Sequence, residues 1–224
     1  MPKKVIILGG QGYGFIIASI IERDGLADII GFLNDVEPLG TELGINKKYR
    51  VLGRTEEIHD FLNNDEDLHV MCGWGGMKYP EADLIKLRSL DIAPDRFFSV
   101  IDKMSLIPLD FCKIGVGFLA GPFSSIGPNT TIGDHTAVFA QSYIGHDSVV
   151  GEFCHISHAF VGSYTQIGRG VHVGRGANIS DNIKIGDFAL IGLSTVVVKD
   201  VPENAVVFGN PAKIIRYRKE PKGK

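Results

Sequence analysis

The second half of the chain places an aliphatic residue at every sixth position. The series contains fifteen positions with one interval of five: Ile114, Ala120, Ile126, Ile132, Val138, Ile144, Val150, Ile156, Val161, Ile167, Val173, Ile179, Ile185, Ile191 and Val197. A glycine follows most of them, and a Ser, Thr, Cys or Ala precedes most of them by two positions. A repeat of six residues is typical of a parallel β-helix.

The repeat predicts a three-sided coil. Each hexad would form one side, so three hexads complete a turn and fifteen give about five coils. The aliphatic side chain would fill the interior and stack on its equivalent one coil later. The glycine and the small residue would permit the corner, where a Cβ would crowd or a positive φ is needed. The alternative, a β-sandwich, would need two-residue alternation and uneven turn spacing.

The first hundred residues follow a different pattern, in which strand-like and helix-like segments alternate. Strands are predicted at residues 4–8, 29–33, 68–72 and 97–101, and helices at 15–22, 55–62 and 80–90. Thr55 is the expected N-cap of the second helix. This alternation predicts a small parallel, Rossmann-like α/β sheet. We therefore expect an α/β domain over residues 1–103 and a β-helix with a C-terminal tail over residues 104–224.

Composition narrows the classes of partner. The 224 residues carry a formal net charge of −3, whereas a nucleic-acid-binding domain is normally basic. There are three cysteines and no leader-like N-terminus, which argues against a disulfide framework. No apolar run approaches the roughly 20 residues that span a bilayer. We expect a cytoplasmic protein without a nucleic-acid partner or a membrane span.

Both halves together resemble the sugar O- and N-acetyltransferases of the sialic-acid O-acetyltransferase type. This family includes enzymes that acetylate UDP- or GDP-linked 4-amino sugars. The resemblance covers nearly the whole chain, and its specific segments are residues 9–14, 31–35, 144–157 and 206–213. It implies that the coils wind left-handed, that three chains form a homotrimer, that acetyl-CoA is the co-substrate and that no metal is needed.

The resemblance implies that His146 is the general base. Acyl transfer from a thioester to an amine or hydroxyl requires removal of a proton from the nucleophile, and a neutral imidazole suits this near pH 7. The adjacent carboxylate of Asp147 would orient the ring and stabilise the imidazolium. The alternative is a solvent-facing corner histidine beside an unrelated aspartate.

The resemblance also implies a set of residues for the acyl donor. His155 would contact the donor or acceptor, the backbone N–H of Gly162 would face the oxyanion, and the coenzyme would lie along Gly174 and Gly192 with Lys213 at a phosphate. The alternative for each glycine is a corner residue, and for His155 a hydrogen-bonded surface position.

One expectation does not depend on the resemblance. A coil of eighteen residues is shortened to seventeen by the interval of five, so His172 should stack on His155. Adjacent strands lie about 4.8 Å apart. At least one of the two imidazoles should then be neutral near pH 7, because like charges repel at that distance.

A glycine-rich loop follows the first strand and precedes a helix, the context of a phosphate-binding loop. Its spacing differs from the G-x-G-x-x-G order of dinucleotide-binding proteins. The resemblance implies that this loop holds the diphosphate of a nucleotide sugar, and that residues after the second strand contact the base or ribose. The family usually has histidine where this chain has tyrosine. The implied substrate-binding residues are Gly12, Tyr13, Gly14, Asn34 and Asp35.

The resemblance implies an acetyl-CoA-dependent acetyltransferase that acts on the amine of a nucleotide-linked 4-amino sugar. Sugar O-acetylation of the sialic-acid type is an alternative. A trimeric, carbonic-anhydrase-like zinc enzyme is another, since some β-helices of this kind bind zinc through three histidines across a subunit interface. His146, His155, His158 and His172 would supply its ligands. A non-catalytic trimerising scaffold is the third.

Overall fold

The structure, a computed structural model, describes residues 3–10, 12–75 and 78–218. The chain forms two compact units. The first contains Met1–Trp74 and Ile85–Val100, and the second contains Gly75–Leu84 and Ile101–Lys224. The simple division between residues 103 and 104 stays a prediction.

The first unit is built on a five-stranded sheet. Its strands are β1 (Lys4–Leu8), β2 (Asp28–Leu33), β3 (Glu42–Leu43), β4 (Tyr49–Gly53) and β5 (Leu68–Cys72). They lie in the order β3-β4-β2-β1-β5, and all pairs are parallel except β3 with β4. Residues 5–8 of strand β1 are all buried, as expected for an inner strand of a parallel sheet whose crossover segments cover both faces.

The sequence-based prediction of this sheet was partly wrong. It missed β3 and β4, whose short segments carry exposed Glu42 and Arg50 and therefore lack a continuous apolar run. It also added residues 97–101 as a fourth strand. In the structure Phe97 makes an isolated bridge to Val70, and β6 (Val100–Ile101) joins a different sheet.

Three helices accompany the sheet: α1 (Tyr13–Asp24), α2 (Ile58–Leu62) and α3 (Pro80–Ser89). Short 3-10 turns span Thr55–Glu57, Pro94–Arg96 and Leu109–Phe111. Thr55 is not the N-cap of the second helix. The turn before α2 begins after Arg54, whose backbone N–H donates to the Glu57 carboxylate at 2.8 Å, while the Thr55 hydroxyl donates to Asp35.

The second unit is a three-sided parallel β-helix. Its rungs are β7 (Lys113–Ile114), β8 (Leu119–Ala120), β9 (Ser125–Ile126), β10 (Thr131–Ile132), β11 (Ala137–Val138), β12 (Tyr143–Ile144), β13 (Val149–Val150), β14 (His155–Ile156), β15 (Phe160–Val161), β16 (Gln166–Ile167), β17 (His172–Val173), β18 (Asn178–Ile179), β19 (Lys184–Ile185), β20 (Leu190–Ile191) and β21 (Val196–Val197). Every third rung lies in the same sheet, so the predicted five coils are confirmed. Strands β22 (Ala205–Phe208) and β23 (Lys213–Tyr217) extend the face of β8, β11, β14, β17 and β20.

Two ladders fill the interior of the coils. The aliphatic residues of the repeat are almost completely buried, Ile144 and Val161 at 0% exposure, for example. The small residues two positions earlier are mostly buried as well, and most of their hydroxyls donate to carbonyls of the following coil, whereas those of Ser124 and Thr195 donate within their own coil. The Thr136 hydroxyl, for instance, reaches the Gly151 oxygen at 2.7 Å. These hydrogen bonds let polar groups lie in a narrow apolar interior.

The repeated glycines are needed because neighbouring coils lie close together. A Cβ on Gly133 would lie 2.5 Å from the backbone nitrogen of Glu152 in the next coil. The left-handed backbone conformation falls elsewhere, three positions before the aliphatic residue, and side chains as large as Phe123 and Phe153 adopt it. Of the two reasons that the repeat suggested for the glycines, crowding is therefore the one that applies.

We expect Gly133→Ala to lower the free energy of unfolding by about 1–3 kcal/mol, because the added methyl group forces two coils apart. Urea unfolding followed by circular dichroism measures this. Ser180→Ala is the matched control: Ser180 occupies the same position of the repeat, directly after Ile179, but already carries a Cβ and is exposed. It should change stability by less than about 0.5 kcal/mol. Equal stability of Gly133→Ala and the parent would contradict the crowding argument.

Candidate functional site

His146 and Asp147 lie at a corner of the β-helix directly after β12 and Gly145. Asp147 adopts a left-handed backbone conformation with φ of 55°. Its Oδ2 lies 2.6 Å from His146 Nδ1, and its Oδ1 accepts a hydrogen bond from Asn129 Nδ2 at 3.2 Å. The bond from His146 is the main reason that the pKa of Asp147 lies below its usual value.

This hydrogen bond assigns the tautomer of His146. A carboxylate accepts, so Nδ1 carries the proton, and in the neutral ring the lone pair then lies on Nε2. The side chain is 43% exposed, and its ring meets the Tyr164 ring edge to face at 5.1 Å between centroids. The neutral ring is therefore partly exposed and has its basic nitrogen at Nε2, while Nδ1 is fixed by the carboxylate. This is the arrangement that a general base requires.

Sequence analysis missed two contributors to this corner, Asn129 and Tyr164. Both follow from the stacking of coils: Asn129 precedes Asp147 by one coil of eighteen residues, and Tyr164 follows it by the shortened coil of seventeen. The spacing of the repeat was thus a signal for both residues.

His155 and His172 are paired in register on neighbouring rungs, as predicted, with ring centroids 6.2 Å apart. Burial lowers the pKa of His155 to about 3 and that of His172 to about 4; the neighbouring His172 and Arg218, respectively, add to the effect. His155 is 7% exposed and packs near Phe139 and Phe153. The two imidazoles are therefore neutral over the physiological pH range.

The structure argues against Gly162 as an oxyanion donor. Its N–H donates to the carbonyl of Ile179 at 2.8 Å, and the amides of Gly174 and Gly192 are used in the same way. In a β-helix the amide after each aliphatic residue belongs to the hydrogen-bond ladder between coils. The spacing of the repeat pointed to the Gly162 amide but did not show that it donates to the Ile179 carbonyl.

The other residues predicted for the coenzyme do come together. Gly174 and Gly192 lie one coil apart on the same corner, and the Phe208 ring covers Gly192 where a Cβ would otherwise lie. Phe208 in turn pairs with Lys213 at the start of β23, where Lys213 is exposed. Their role in binding a coenzyme stays a prediction.

A second candidate site lies in the first unit, where the strand order reverses between β1 and β5. Ligands of open α/β sheets bind at the carboxyl ends of the strands at such a reversal. The loop after β1 is pressed between its neighbours: a Cβ on Gly9 would lie 3.0 Å from the Gly73 carbonyl, and one on Gly10 would overlap the Asn34 amide. Only glycine permits so close an approach.

The predicted loop residues lie at the start of α1. Gly12 is its N-cap with φ of 65°, and Gly14 packs against the Phe32 ring. Tyr13 is half-buried, and burial together with nearby Cys72 raises the pKa of its phenol well above the usual value. The phenol therefore stays protonated. The amino end of α1 adds positive potential to this edge of the sheet.

Asn34 and Asp35, predicted to contact a base or ribose, both hold the protein's own structure. Asn34 Oδ1 accepts hydrogen bonds from the backbone N–H groups of Val36 and Glu37 at 2.8 and 3.2 Å. Asp35 accepts from the Thr55 N–H at 2.9 Å and the Thr55 hydroxyl at 2.8 Å, and it forms an ion pair with Lys86. The ion pair with Lys86 was not predicted from the sequence.

Within residues 3–10, 12–75 and 78–218, no three His, Cys, Asp or Glu side chains form a group that could hold a metal ion. The zinc alternative thus has no ligand set inside this part of one chain. Among the same residues, no helix is both long and apolar enough to cross a membrane.

Comparison with known proteins supports the two-part architecture. Residues 4–78 match the family model described as the PglD N-terminal domain. No curated protein matches the chain. The acetyltransferase domain of PglB from Neisseria gonorrhoeae is 24% identical, with a TM-score of 0.81 over 95% of this chain and 100% of that chain.

Two further structures have the same architecture. GDP-perosamine N-acetyl transferase from Caulobacter crescentus, in complex with CoA and GDP-perosamine, is 19% identical, with a TM-score of 0.82 over 95% of this chain and 97% of that chain. WeeI from Acinetobacter baumannii is 23% identical, with a TM-score of 0.66 over 94% and 99%. The predicted fold class, a small α/β domain followed by a left-handed parallel β-helix, is confirmed, and the chain resembles these acetyltransferase structures in fold.

The buried histidine pair predicts a specific pH dependence. Both folded pKa values lie below the value of about 6.5 for an unfolded histidine. Between about pH 4 and 6.5 the unfolded chain therefore binds more protons, so stability should fall as the pH falls through this window. Urea unfolding at pH 7 and pH 5 measures the loss, and the double variant His155→Gln, His172→Gln should lose less. A loss of the same size in both proteins would contradict the assignment.

Proposed function

We propose that the chain is an acetyl-CoA-dependent N-acetyltransferase that acts on the amine of a nucleotide-linked 4-amino sugar. The observation that carries this proposal is the 2.6 Å hydrogen bond between His146 and Asp147, which leaves Nε2 of an exposed imidazole as a base. Structures with the same architecture support the substrate class: one is described with acetyl coenzyme A and another with CoA and GDP-perosamine.

The proposed reaction is a direct transfer. The amine nitrogen of the sugar forms a bond to the thioester carbonyl carbon while His146 Nε2 accepts a proton from that nitrogen. The tetrahedral intermediate collapses, the carbon–sulfur bond breaks, and the imidazolium returns the proton to the leaving thiolate. The products are an amide and the thiol of CoA. Asp147 accepts from Nδ1–H throughout and stabilises the imidazolium.

The two units would divide the work. In the first, the glycine-rich loop and the amino end of α1 form a setting that suits a diphosphate. In the second, the corner of His146 supplies the base. Sugar O-acetylation would use the same base on a hydroxyl group. The chemistry of His146 therefore does not distinguish N-acetylation from O-acetylation, and the two reactions must be distinguished by the acceptor that is used.

We also propose a homotrimer, whose number of chains is what the family resemblance implies. An outer face of the β-helix carries stacked aromatic rings, Tyr143 and Phe160, with centroids 4.7 Å apart, and Phe160 is about half exposed. Exposed aromatic patches of this kind mark protein–protein contacts. The cytoplasmic location of the protein stays a prediction.

The identity of the acceptor is tested by an acyl-CoA thiol-release assay. Acetyl-CoA is offered with UDP- and GDP-linked 4-amino sugars and with matched sugars that carry a hydroxyl at the same carbon. We expect thiol release with an amino sugar and little with the hydroxyl analogue. Turnover of the hydroxyl sugars alone would favour O-acetylation, and no release with any acceptor would contradict the proposal.

Removal of the base should abolish turnover without unfolding the protein. We expect His146→Ala to lower kcat by a factor of about 100 or more, since a positioned base contributes roughly 100- to 10,000-fold. Asp147→Asn should also lower kcat, because the amide no longer stabilises the imidazolium. Thiol release measures kcat, and circular dichroism and gel filtration monitor folding and assembly.

Asp181→Asn is the matched control for Asp147→Asn. Asp181 is exposed on the same corner two coils further on, where it accepts the Ser163 N–H at 2.7 Å. It makes no contact with His146, so its variant should keep full activity. Full activity of His146→Ala would remove the proposed base, and equal losses in both aspartate variants would show a general effect of charge.

A further inference from the structure

Lys86 lies on α3 in the first unit, and two neighbours fix its ammonium group. It forms an ion pair with Asp35, which follows β2, and it lies 4.8 Å from the centroid of the Trp74 ring, which follows β5. A cation above an indole face is held by the ring's quadrupole. The ammonium is therefore positioned between the ends of two strands that flank β1 in the sheet.

The Asp35 carboxylate accepts several hydrogen bonds, whereas the Lys86 ammonium donates one to Asp35. The Asp35 carboxylate already accepts the Thr55 N–H and hydroxyl as well as Lys86. Although burial raises the pKa of Asp35, the hydrogen bonds from Lys86 and Thr55 hold it below its usual value, so it stays ionised. An ammonium has three donors, and Lys86 is 44% exposed with one bond to Asp35. The cluster can still donate to an anion.

The ammonium and the glycine-rich loop share one edge of the sheet. Trp74 directly follows Gly73, whose carbonyl Gly9 approaches, and Asp35 directly follows Asn34, whose amide Gly10 approaches. The loops after β1, β2 and β5 thus converge. An anion on the loop would also meet the positive end of α1.

We propose that Lys86 is the counter-cation of the diphosphate and sets the preference for nucleoside-diphosphate-linked sugars over unlinked ones. This rests on the proposed function for the reaction, but the binding step is independent of acetyl transfer. Asp35 is then a positioning residue that holds Lys86 toward the loop and does not contact base or ribose. A diphosphate with two negatively charged groups fits a loop of backbone N–H donors flanked by one ammonium.

Isothermal titration of the full chain with UDP and with GDP, without acetyl-CoA, tests this proposal. Lys86→Met should weaken binding of the preferred nucleotide about 10- to 100-fold, the range for a hydrogen bond to a charged group. Lys86→Arg keeps the charge and should retain most of the affinity. In thiol-release assays Lys86→Met should raise KM for the nucleotide sugar and leave KM for acetyl-CoA unchanged.

The first unit offers a matched control. Lys47 forms an ion pair with Glu22 and lies 5.8 Å from the Tyr49 ring centroid. Like Lys86, it therefore contacts one carboxylate and one aromatic ring, but it lies beside α1 and the β3–β4 hairpin. Lys47→Met should leave nucleotide binding unchanged. Thermal unfolding of both variants separates a loss of affinity from a loss of folding.

The outcomes separate the inference from the proposed function. Parent-like nucleotide binding by Lys86→Met, or equal losses in Lys86→Met and Lys47→Met, would overturn the role of Lys86 even if acetyl transfer is observed. A selective loss in Lys86→Met would support it even if the parent acetylates none of the sugars. Failure of the parent to bind either UDP or GDP would also overturn it.

Discussion

The structure depends on the hydrogen-bond ladder that joins one coil of the β-helix to the next. Its spacing of about 4.8 Å leaves no room for a Cβ after most aliphatic residues, as the approach of Gly133 to Glu152 shows. The ladder also commits the amides at these positions, Gly162 among them. These backbone groups are therefore not available for catalysis. A catalytic group must instead come from a side chain, such as one at a corner of the β-helix.

His146 and Asp147 meet this requirement through the backbone of the corner. Asp147 adopts the left-handed conformation that recurs three positions before each aliphatic residue, and this turns its carboxylate back toward the preceding side chain. The same position one coil earlier is occupied by Asn129, which holds the second carboxylate oxygen. For most residues this conformation costs roughly 1–2 kcal/mol, but Asn and Asp tolerate it better than others. The fold thus orients the pair.

The β-helix was well predicted because residues that contact each other in neighbouring coils are separated by a nearly constant number of positions in the sequence. The same count of residues per coil correctly predicted that His172 stacks on His155. The first unit has no such period. The edge strands β3 and β4 were missed since short, partly exposed strands carry a weak signal, and residues 97–101 were misplaced because an apolar run does not specify its sheet.

The candidate site was predictable only where its residues are neighbours in sequence or separated by one coil. His146 and Asp147 are adjacent, whereas Lys86 and Asp35 are 51 positions apart in a region without a repeat. Asp35 stays a predicted contact for the substrate, and the contacts of its carboxylate with Thr55 and Lys86 were not predicted. Local spacing identifies a polar side chain but not the distant residues that contact it.

Burial distinguishes the roles of the histidines in the β-helix. A general base must gain and lose a proton during each turnover, and a group whose pKa lies at about 3 or 4 holds a proton too weakly to do so near pH 7. His155 and His172 are for this reason poor candidates, whatever their distance from a substrate. His146 has a partly exposed side chain, and a carboxylate fixes its Nδ1. The neighbouring coils that pack these two imidazoles away from water therefore leave His146, paired with Asp147 at its corner, better suited than either of them to move a proton.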